Sequence, residues 1–451
     1  MRENWSDIEF SDAVVKISTN RIKTKQKDYL PSGEIAIVDQ GQELIGGYTN
    51  DTSKSIPCQL PVVVFGDHTK AIKHINFQFA PGADGTKVLQ PKQFVDSKLL
   101  YYFTEVLVLL MEDKGYARHY QHVEKSTFPL PPLPEQRSIV GKLEQLFSEL
   151  DSGIGELQRA QAKLKVYRQA VLKKAFEGEL TKEWRAQQKD LPTAEALLEQ
   201  IKEERSRHYE QQLSEWKAAV KDWEKKGKVG KKPSKTTKPK ELAPPTKAEI
   251  ELYGALPNSW EWTRYCSVTY KIGDIDHKMP RPYENGIPYL STGNIGKDGT
   301  LDFDSAKRIS PDDYKRLALK IKPEKGDIIF PRYGTIGRNI LVNVDREFLV
   351  SYACAILKTI PDVMSELYCF YHSLSPVTSM EIRRYTVDTV QANVGIASIE
   401  SFMFPLCPIE EQQQIVEAIE SRLSVCDKVE ESIATNLQKA EALRQSILKK
   451  A

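Results

Sequence analysis

Paired cysteines are missing from this chain. Its six (Cys58, Cys266, Cys354, Cys369, Cys407, Cys426) are scattered through 451 residues with no CxxC spacing. That excludes a zinc ribbon and a disulfide framework, and predicts free thiols in a reducing cytoplasm. Long apolar runs are missing too: the first ten residues, MRENWSDIEF, hold no apolar core, and no stretch approaches 18 uninterrupted apolar residues. The expectation is a cytoplasmic protein with no membrane attachment. Net charge is nearly absent, 64 Lys and Arg against 62 Asp and Glu, so any nucleic-acid surface must come from segregated charge. Catalytic signatures are likewise wanting. Neither GxxxxGK[ST] nor GxGxxG occurs, nor the Asn/Asp-Pro-Pro-aromatic segment used in adenine methylation. His119 and His122 make an HxxH without further ligands at metal spacing. Asp312, Asp313, Glu324 and Lys325 fall on a predicted helix and turn, the wrong setting for nuclease carboxylates. No catalytic residue and no metal ligand is predicted.

What the chain does contain is a phrase written twice. FPLPPLPEQRSIV begins at Phe128, and FPLCPIEEQQQIV begins 276 residues later at Phe404. Residues 128–175 lie over 404–451 without a gap, ending in RQAVLKKA and RQSILKKA. A gapless register is what packed helices require, because one inserted residue turns every later side chain by about 100°. Leu143, Leu150, Leu157, Leu164 and Val171 recur every seven residues, as do Ile419, Cys426, Ile433, Ala440 and Ile447. Leu146, Gly153, Ala160 and Tyr167 are read as the interleaved set. This period predicts two helical rods of roughly 60 Å, at about 1.5 Å per residue. Equal length predicts that they pack on each other, antiparallel, with residues near 143 close to those near 447; the plainer alternative is a core stripe inside each domain.

The segments ahead of each helix repeat more weakly. NWSDIEFSDAVVKIS (4–18) aligns with SWEWTRYCSVTYKIG (259–273), placing Trp5 over Trp260. YLPSGEIAIVDQG (29–41) aligns with PYENGIPYLSTG (282–293), and PVVVFGDHTKAI (61–72) with GDIIFPRYGTIG (326–337). Short β-branched and aromatic runs bounded by Gly, Pro, Asn and Asp predict strands. The expected fold is α+β: two mainly-β domains with some helix, alternating with two long helices in an antiparallel coiled coil, a pseudo-twofold tandem repeat. The boundaries read 1–128, 129–190 (first rod), 191–256 (charged helix and Lys-rich linker), 257–404 and 405–451 (second rod). The first rod should break at Gly178. A polar helix should run from Ala194 to about Lys225, with Trp216 and Trp223 seven apart. Residues 225–240 then hold eight lysines and no acid, which predicts a disordered or loosely held linker, or a contact to DNA phosphates.

PLPPLPEQRSIVGKLEQLF followed by RQAVLKKAFEGELTKEWR resembles the central region of the specificity subunit of type I restriction-modification enzymes. The second copy resembles that subunit's distal region, and the β-rich domains its target recognition domains. The resemblance spans essentially the whole chain, with one departure: Ala451 lacks the FEGEL that follows Ala175. It implies a non-catalytic subunit that binds a bipartite double-stranded DNA target, one half-site per domain. It also implies helices that set the spacing and dock two adenine-methyltransferase (M) subunits, with two restriction/translocase (R) subunits in the full complex. S-adenosylmethionine, ATP and Mg would belong to those partners, and this chain would bind no cofactor. A methyltransferase-only system would use the same subunit, and a coiled-coil adaptor that binds only protein would share the rods.

Two readers of different sequence on one ruler predict an asymmetric target. Arg pairs with guanine O6/N7 and with phosphates, and Gln or Asn with adenine N6/N7. Candidate contacts in the first domain are therefore Gln40, Gln42, Tyr48 and Asn50, with His68, Thr69 and Lys70 after the VVVFG strand. Thr292, Asn294 and Lys297, then Arg332, Tyr333, Thr335 and Arg338 in FPRYGTIGR, are those of the second. Arg118, Gln391 and Asn393 stand just before each rod, placed either to touch DNA or to cap the junction.

Overall fold

The run VVVFG forms strand β5 (Val62–Gly66) and is buried along its whole length, as a strand covered on both faces must be. The computed structural model describes residues 4–83, 85–111, 118–230, 232–296, 299–386 and 393–450. The chain divides into two units, residues 1–161 with 431–451, and residues 162–430.

In the first unit β5 lies inside an antiparallel sheet of order β2 (Val14–Ile17), β8 (Thr86–Pro91), β5, β6 (Ile72–Ile75). Side chains alternate along a strand. Val62 and Val64 meet Val38 and Phe79 on one face, which come from a smaller sheet. That sheet has the order β4 (Gly47–Thr49), β3 (Ile35–Val38), β7 (Phe79–Pro81), with β3 and β7 parallel. Val63 and Phe65 meet Phe10, Leu100, Tyr120 and Phe128 on the other face. These belong to helices α1 (Phe10–Ala13), α2 (Ser97–Leu110) and α3 (Tyr120–Glu124), and to β9 (Thr127–Leu130), which pairs with β1 (Ser6–Glu9).

The second unit repeats that topology strand for strand. Its larger sheet runs β11 (Lys271–Gly273), β17 (Cys354–Lys358), β14 (Ile328–Pro331), β15 (Ile340–Leu341), and its smaller one β13 (Lys307–Ile309), β12 (Ile287–Leu290), β16 (Leu349–Val350). Strands β12 and β16 are again parallel. Ile329 and Ile356 face a core with Tyr289 and Leu349; Ile328, Phe330 and Leu357 face one with Tyr265, Tyr368 and Phe404. Strand β10 (Glu261–Arg264) pairs with β18 (Met403–Leu406), Thr263 opposite Phe404, as Ile8 lies opposite Phe128. The unit also carries α5 (Lys182–Gln187), α6 (Ala194–Lys225), α7 (Lys247–Glu251), α8 (Pro311–Ala318), α9 (Glu366–Ser373), α10 (Pro376–Tyr385) and α11 (Ile396–Ser401). Tandem duplication is thus written in the strand order.

The rods are α4 (Leu133–Phe176) and α12 (Ile409–Lys450), and each unit takes part of both. The compact units therefore cut across the boundaries read from sequence. In the first unit Leu143 and Phe147 pack with Ile447 and Leu448. Further along α4, Asp151 pairs with Arg444 at 2.8 Å. In the second unit Arg168 reaches Asp427 at 2.7 Å and Glu430 at 2.9 Å. Numbers rise along α4 as they fall along α12: the helices are antiparallel, with Leu143 beside Ile447 as expected. Of the interleaved set, Leu146 and Ala160 are half-buried as expected, and the other two positions fall one residue short of the covered row. Gly153 and Tyr167 are exposed, while Phe147, Ile154, Gln161 and Arg168 are buried or half-buried. Both i+3 and i+4 neighbours share a helix face, so the period alone does not choose between them; here the partner helix covers the i+4 row. At Gly178, φ is +74°, and the Glu179 and Gly178 N–H groups return to Lys174 and Ala175 carbonyls. This reversal ends α4 where predicted.

The repeated Glu-Gln has a structural task. Gln136 is buried and accepts from the Asp96 N–H (2.7 Å) while donating to the Phe94 and Pro131 carbonyls. Gln412, equally buried, accepts from the Ser365 N–H (3.0 Å) and donates to the Cys407 carbonyl (2.9 Å). Asp96 and Ser365 are the N-caps of α2 and α9. Each glutamine pins the first turn of a rod to the helix behind its own sheet. The neighbouring Glu411 is fully buried, held by Thr181, Arg185 and Trp260. Replacing Gln412 or Gln136 by Leu should destabilise the chain by about 1–3 kcal/mol for each backbone group left unpaired. Urea denaturation checks this against Gln413→Ala, an exposed control expected within about 0.5 kcal/mol of the parent.

Candidate nucleic-acid interface

In the first unit the loops after β3 and β5 meet. Asp39 organises their base: it accepts from the Gly41 N–H (2.8 Å) and the Tyr29 hydroxyl (3.2 Å), and Lys73 lies 3.6 Å away. Burial and the nearby carboxylate push the Tyr29 phenol up to about 12, so it stays a donor. Above it, Gln40 accepts from the His68 N–H at 3.4 Å, and the Thr69 hydroxyl donates to the Gln40 carbonyl. A Cβ on Gly66 would stand 2.3 Å from the Thr69 hydroxyl, so this close turn requires glycine. Lys70 turns the chain with φ +59°. Asp67 is buried and ties in the segment before the rod: its carbonyl accepts from the His119 N–H and its carboxylate from the Tyr120 N–H, both at 2.9 Å. Burial raises the Asp67 carboxyl, but the Tyr120 N–H and Lys87 outweigh it and hold it below its ordinary value.

Gln40, His68, Thr69, Lys70 and exposed Arg118 are therefore gathered on one edge, and Gln42 is exposed two residues beyond. Tyr48 and Asn50 are not. Tyr48 lies in β4 opposite Ala36, and Asn50 caps the other end of β3 by accepting from the Glu34 N–H at 3.0 Å.

The second unit builds the same corner from different residues. The Arg332 N–H donates to the Ala353 carbonyl as Asp67 donates to Gly85, and the Arg332 carbonyl accepts from Val394 as Asp67 does from His119. Arg332 therefore occupies the place of Asp67. It is 5 % exposed, with its guanidinium on Asp274 (2.7 Å) and the Tyr352 carbonyl (2.9 Å). That corrects the sequence reading: an arginine directly after a buried strand is turned inward, and its fork is spent inside the protein. Tyr333 bridges to Asn393, and the Thr335 hydroxyl is buried without a partner among the described residues. Arg338 is exposed and makes no ion pair among the described residues. The Asn294 amide closes its own turn, accepting from the Ser291 N–H (2.9 Å) and donating to Ser305, with Thr292 half-exposed beside it. Lys297 and Gln391 lie outside the described residues.

Sequence reasoning missed the group around Asp274. Besides Arg332, its carboxylate holds Lys320 (3.1 Å) and His277 (3.2 Å), and the His277 ring stacks on Tyr352 at 4.7 Å. Lys278 and Arg281 follow, exposed. The available signal was the stretch DIDHKMPRP (274–282), three basic residues and two prolines in a loop. Among the described residues no cluster of His, Cys, Asp and Glu could hold a metal ion, and no helix is long and apolar enough to cross a membrane.

One sandwich is used twice, and its matching corners carry different polar residues. Residues 268–439 match the family described as the type I restriction modification DNA specificity domain. The chain is similar to the EcoDI specificity subunit of Escherichia coli, 23% identical over 99% of this chain and 88% of that one. It is also similar to the EcoBI specificity subunit of Escherichia coli, 26% identical over 73% of this chain but only 58% of the relative's length. A solved chain described under complex assembly and conformational transition of the type I R-M system shares the fold, with TM-score 0.61 at 16% identity, covering 100% of this chain and 98% of that one. The family match thus covers residues 268–439, and over its whole length the chain is similar to type I specificity subunits and shares the fold of one solved chain.

Arg332→Ala should leave the buried Asp274 carboxylate short of its main partner and cost about 3 kcal/mol of stability. Arg338→Ala should leave the unfolding midpoint unchanged. Thermal denaturation of the two variants side by side separates the inward arginine from the outward one.

Proposed function

We propose that this chain is the DNA-reading subunit of a type I restriction-modification complex, each unit reading one half of an asymmetric bipartite target. The observation that supports it most is the corner after β5 and β14. One backbone arrangement, above buried Asp67 in the first unit and buried Arg332 in the second, presents His68-Thr69-Lys70 in the one and Tyr333-Gly334 in the other. A common scaffold with unlike polar tips suits two readers of unlike sequence. In the first unit the reading residues are Gln40, Gln42, His68, Thr69, Lys70 and Arg118. In the second they are Thr292, Tyr333, Arg338 and Asn393, together with Lys297 and Gln391 of the sequence reading, whereas the Thr335 hydroxyl is buried. Tyr48, Asn50 and Asn294 are left out of both sets, because their strand position or hydrogen bonds engage them elsewhere.

In this reading the rods set the distance between half-sites and dock two adenine-methyltransferase subunits, and two restriction/translocase subunits complete the assembly. S-adenosylmethionine, ATP and Mg are then the partners' cofactors, and the chain itself performs no chemistry. FEGELTKEWR contributes to docking through Glu177, Glu179, Lys182 and Glu183, which are exposed, whereas Thr181 and Arg185 turn inward to Glu411. A methyltransferase-only system would use the chain identically.

The ruler is tested by insertion. Four residues after Gly155 lengthen α4 by about 6 Å and turn it by about 40°, close to two base pairs at roughly 3.4 Å each. A matching insertion after Ala440, near the facing stretch of α12 in the register set by Asp151 and Arg444, preserves the seam. Methylome sequencing of cells carrying the doubly inserted chain should show both half-sites unchanged and a spacer longer by one or two base pairs. An unchanged spacer in a methylation-competent complex refutes the ruler. On the reading side, Arg338→Ala should cost about 1–3 kcal/mol on target duplex and relax preference at one position. Equal weakening on target and random duplex in a mobility shift would remove this loop from the reader.

A further inference from the structure

The Lys-rich stretch after α6 departs from the expectation of a loose linker. Helix α6 ends in a left-handed turn: Gly227 has φ +74°, and the Lys228 and Gly227 N–H groups return to the Trp223 and Glu224 carbonyls. Lys228 and Gly230, at φ +63° and +83°, complete the reversal. The chain then runs back along α6, tied at four points. Trp223 and Trp216 donate their indole N–H groups to the Gly230 and Pro233 carbonyls, each at 3.1 Å. Thr236 donates to Gln212 at 2.7 Å, and Arg205 to the Lys240 carbonyl at 2.8 Å. Positions 205, 212, 216 and 223 share one helix face.

These ties fix the strap's conformation. Between the Trp216 and Arg205 ties the helix advances about 16 Å. The strap crosses that distance from Pro233 to Lys240 at about 2.4 Å per residue, an extended chain between the 1.5 Å rise of a helix and the 3.1 Å of polyproline II. Burial repeats with the matching period of three. Pro233, Thr236 and Pro239 are half-buried, whereas Lys232, Lys235 and Lys238, each one residue earlier or later in the turn, are exposed. That period sets those lysines along one side of the strap, roughly 7 Å apart at that rise, with the Lys235 ammonium 5.8 Å from the centre of the Trp216 ring. Residues 226–240 contain seven lysines and no acid, and Lys232 and Lys238 make no ion pair among the described residues.

We propose that this strap is a fixed cationic rail that binds the phosphodiester backbone of duplex DNA away from the bases being read. The proposal rests on the DNA-reading function above and adds a second, sequence-independent contact to it. Charges of one sign held in line on a rigid helix repel each other, and a linear polyanion relieves that repulsion along the whole row. Duplex DNA carries a charge per about 1.7 Å of axis, and lysine meets phosphate as a point charge without the geometry demanded of a base contact. Because α6 already orders the strap, binding does not have to.

The test uses the full chain, a target-bearing duplex and a random duplex, with affinity followed by anisotropy across a potassium chloride series. Removing three contacts in Lys232→Gln/Lys235→Gln/Lys238→Gln should flatten the log–log salt slope by about 2.7 on both duplexes, at 0.9 per phosphate. The ratio of target to random affinity should stay as in the parent, and the triple Lys→Arg variant should restore the slope. A parental slope in the Gln variant overturns the rail while leaving the reading function intact. The same slope with lost co-purification of partner subunits assigns the strap to an acidic protein surface, which also overturns it. A parent chain that binds neither duplex overturns the rail together with the reading function beneath it.

Discussion

One buried side-chain amide in each unit joins a long helix to a β-rich half. Gln136 and Gln412 stand in the first turns of α4 and α12, and each bonds backbone groups from the sheet-side helix and from the strand just left behind. An amide offers two donors and an acceptor with two lone pairs in a fixed plane. Where water is excluded, nothing else satisfies those partners, so the amide fixes the departure angle of the rod at the cost of leaving little freedom to vary it. This accounts physically for a phrase repeated at Phe128 and Phe404 in a chain whose loops have otherwise diverged. Prolines open the helix, the apolar pair packs behind it, and the glutamine locks the junction.

The diverged corners obey a second constraint. Asp67 and Arg332 occupy one backbone position with opposite charges, and both are buried. A buried charge needs a partner, and each has one of its own: Lys87 at 3.3 Å for Asp67, Asp274 at 2.7 Å for Arg332. The partners come from different strands, Lys87 from β8 and Asp274 from the end of β11. The polar tips above each corner therefore rest on an internal ion pair of the opposite arrangement. Exchanging the tip of one unit for that of the other would bury a charge beside the wrong counterion.

Much of the fold was legible because it depends on periods. Seven-residue spacing gave both rods and their antiparallel pairing, and the alignment of Trp5 with Trp260 was already the register of β1 on β9 and β10 on β18. Less of the candidate site was legible. The residue type of Arg332 suggested a reader, but its burial depends on Asp274, 58 positions away. Composition made 225–240 a linker because lysine, glycine and proline do not build a core. The two indole donors that hold it, Trp216 and Trp223, act on backbone carbonyls, and carbonyls have no letter in a sequence. Gln40 and His68 to Lys70 were found as separate turns, and only the sheet order brings them to one edge.

The division of the rods between units has a bearing on synthesis. The first unit needs residues 431–450, whose Ile447 and Leu448 cover Leu143 and Phe147, yet everything from 162 to 430 is made in between. At roughly 5–20 residues per second, that unit waits on the order of 15–50 s for its last helix. Through that interval its apolar stripe on α4 is open to the solvent of the cell. The half that leaves the ribosome first is the last to close, which makes it the half most in need of a chaperone.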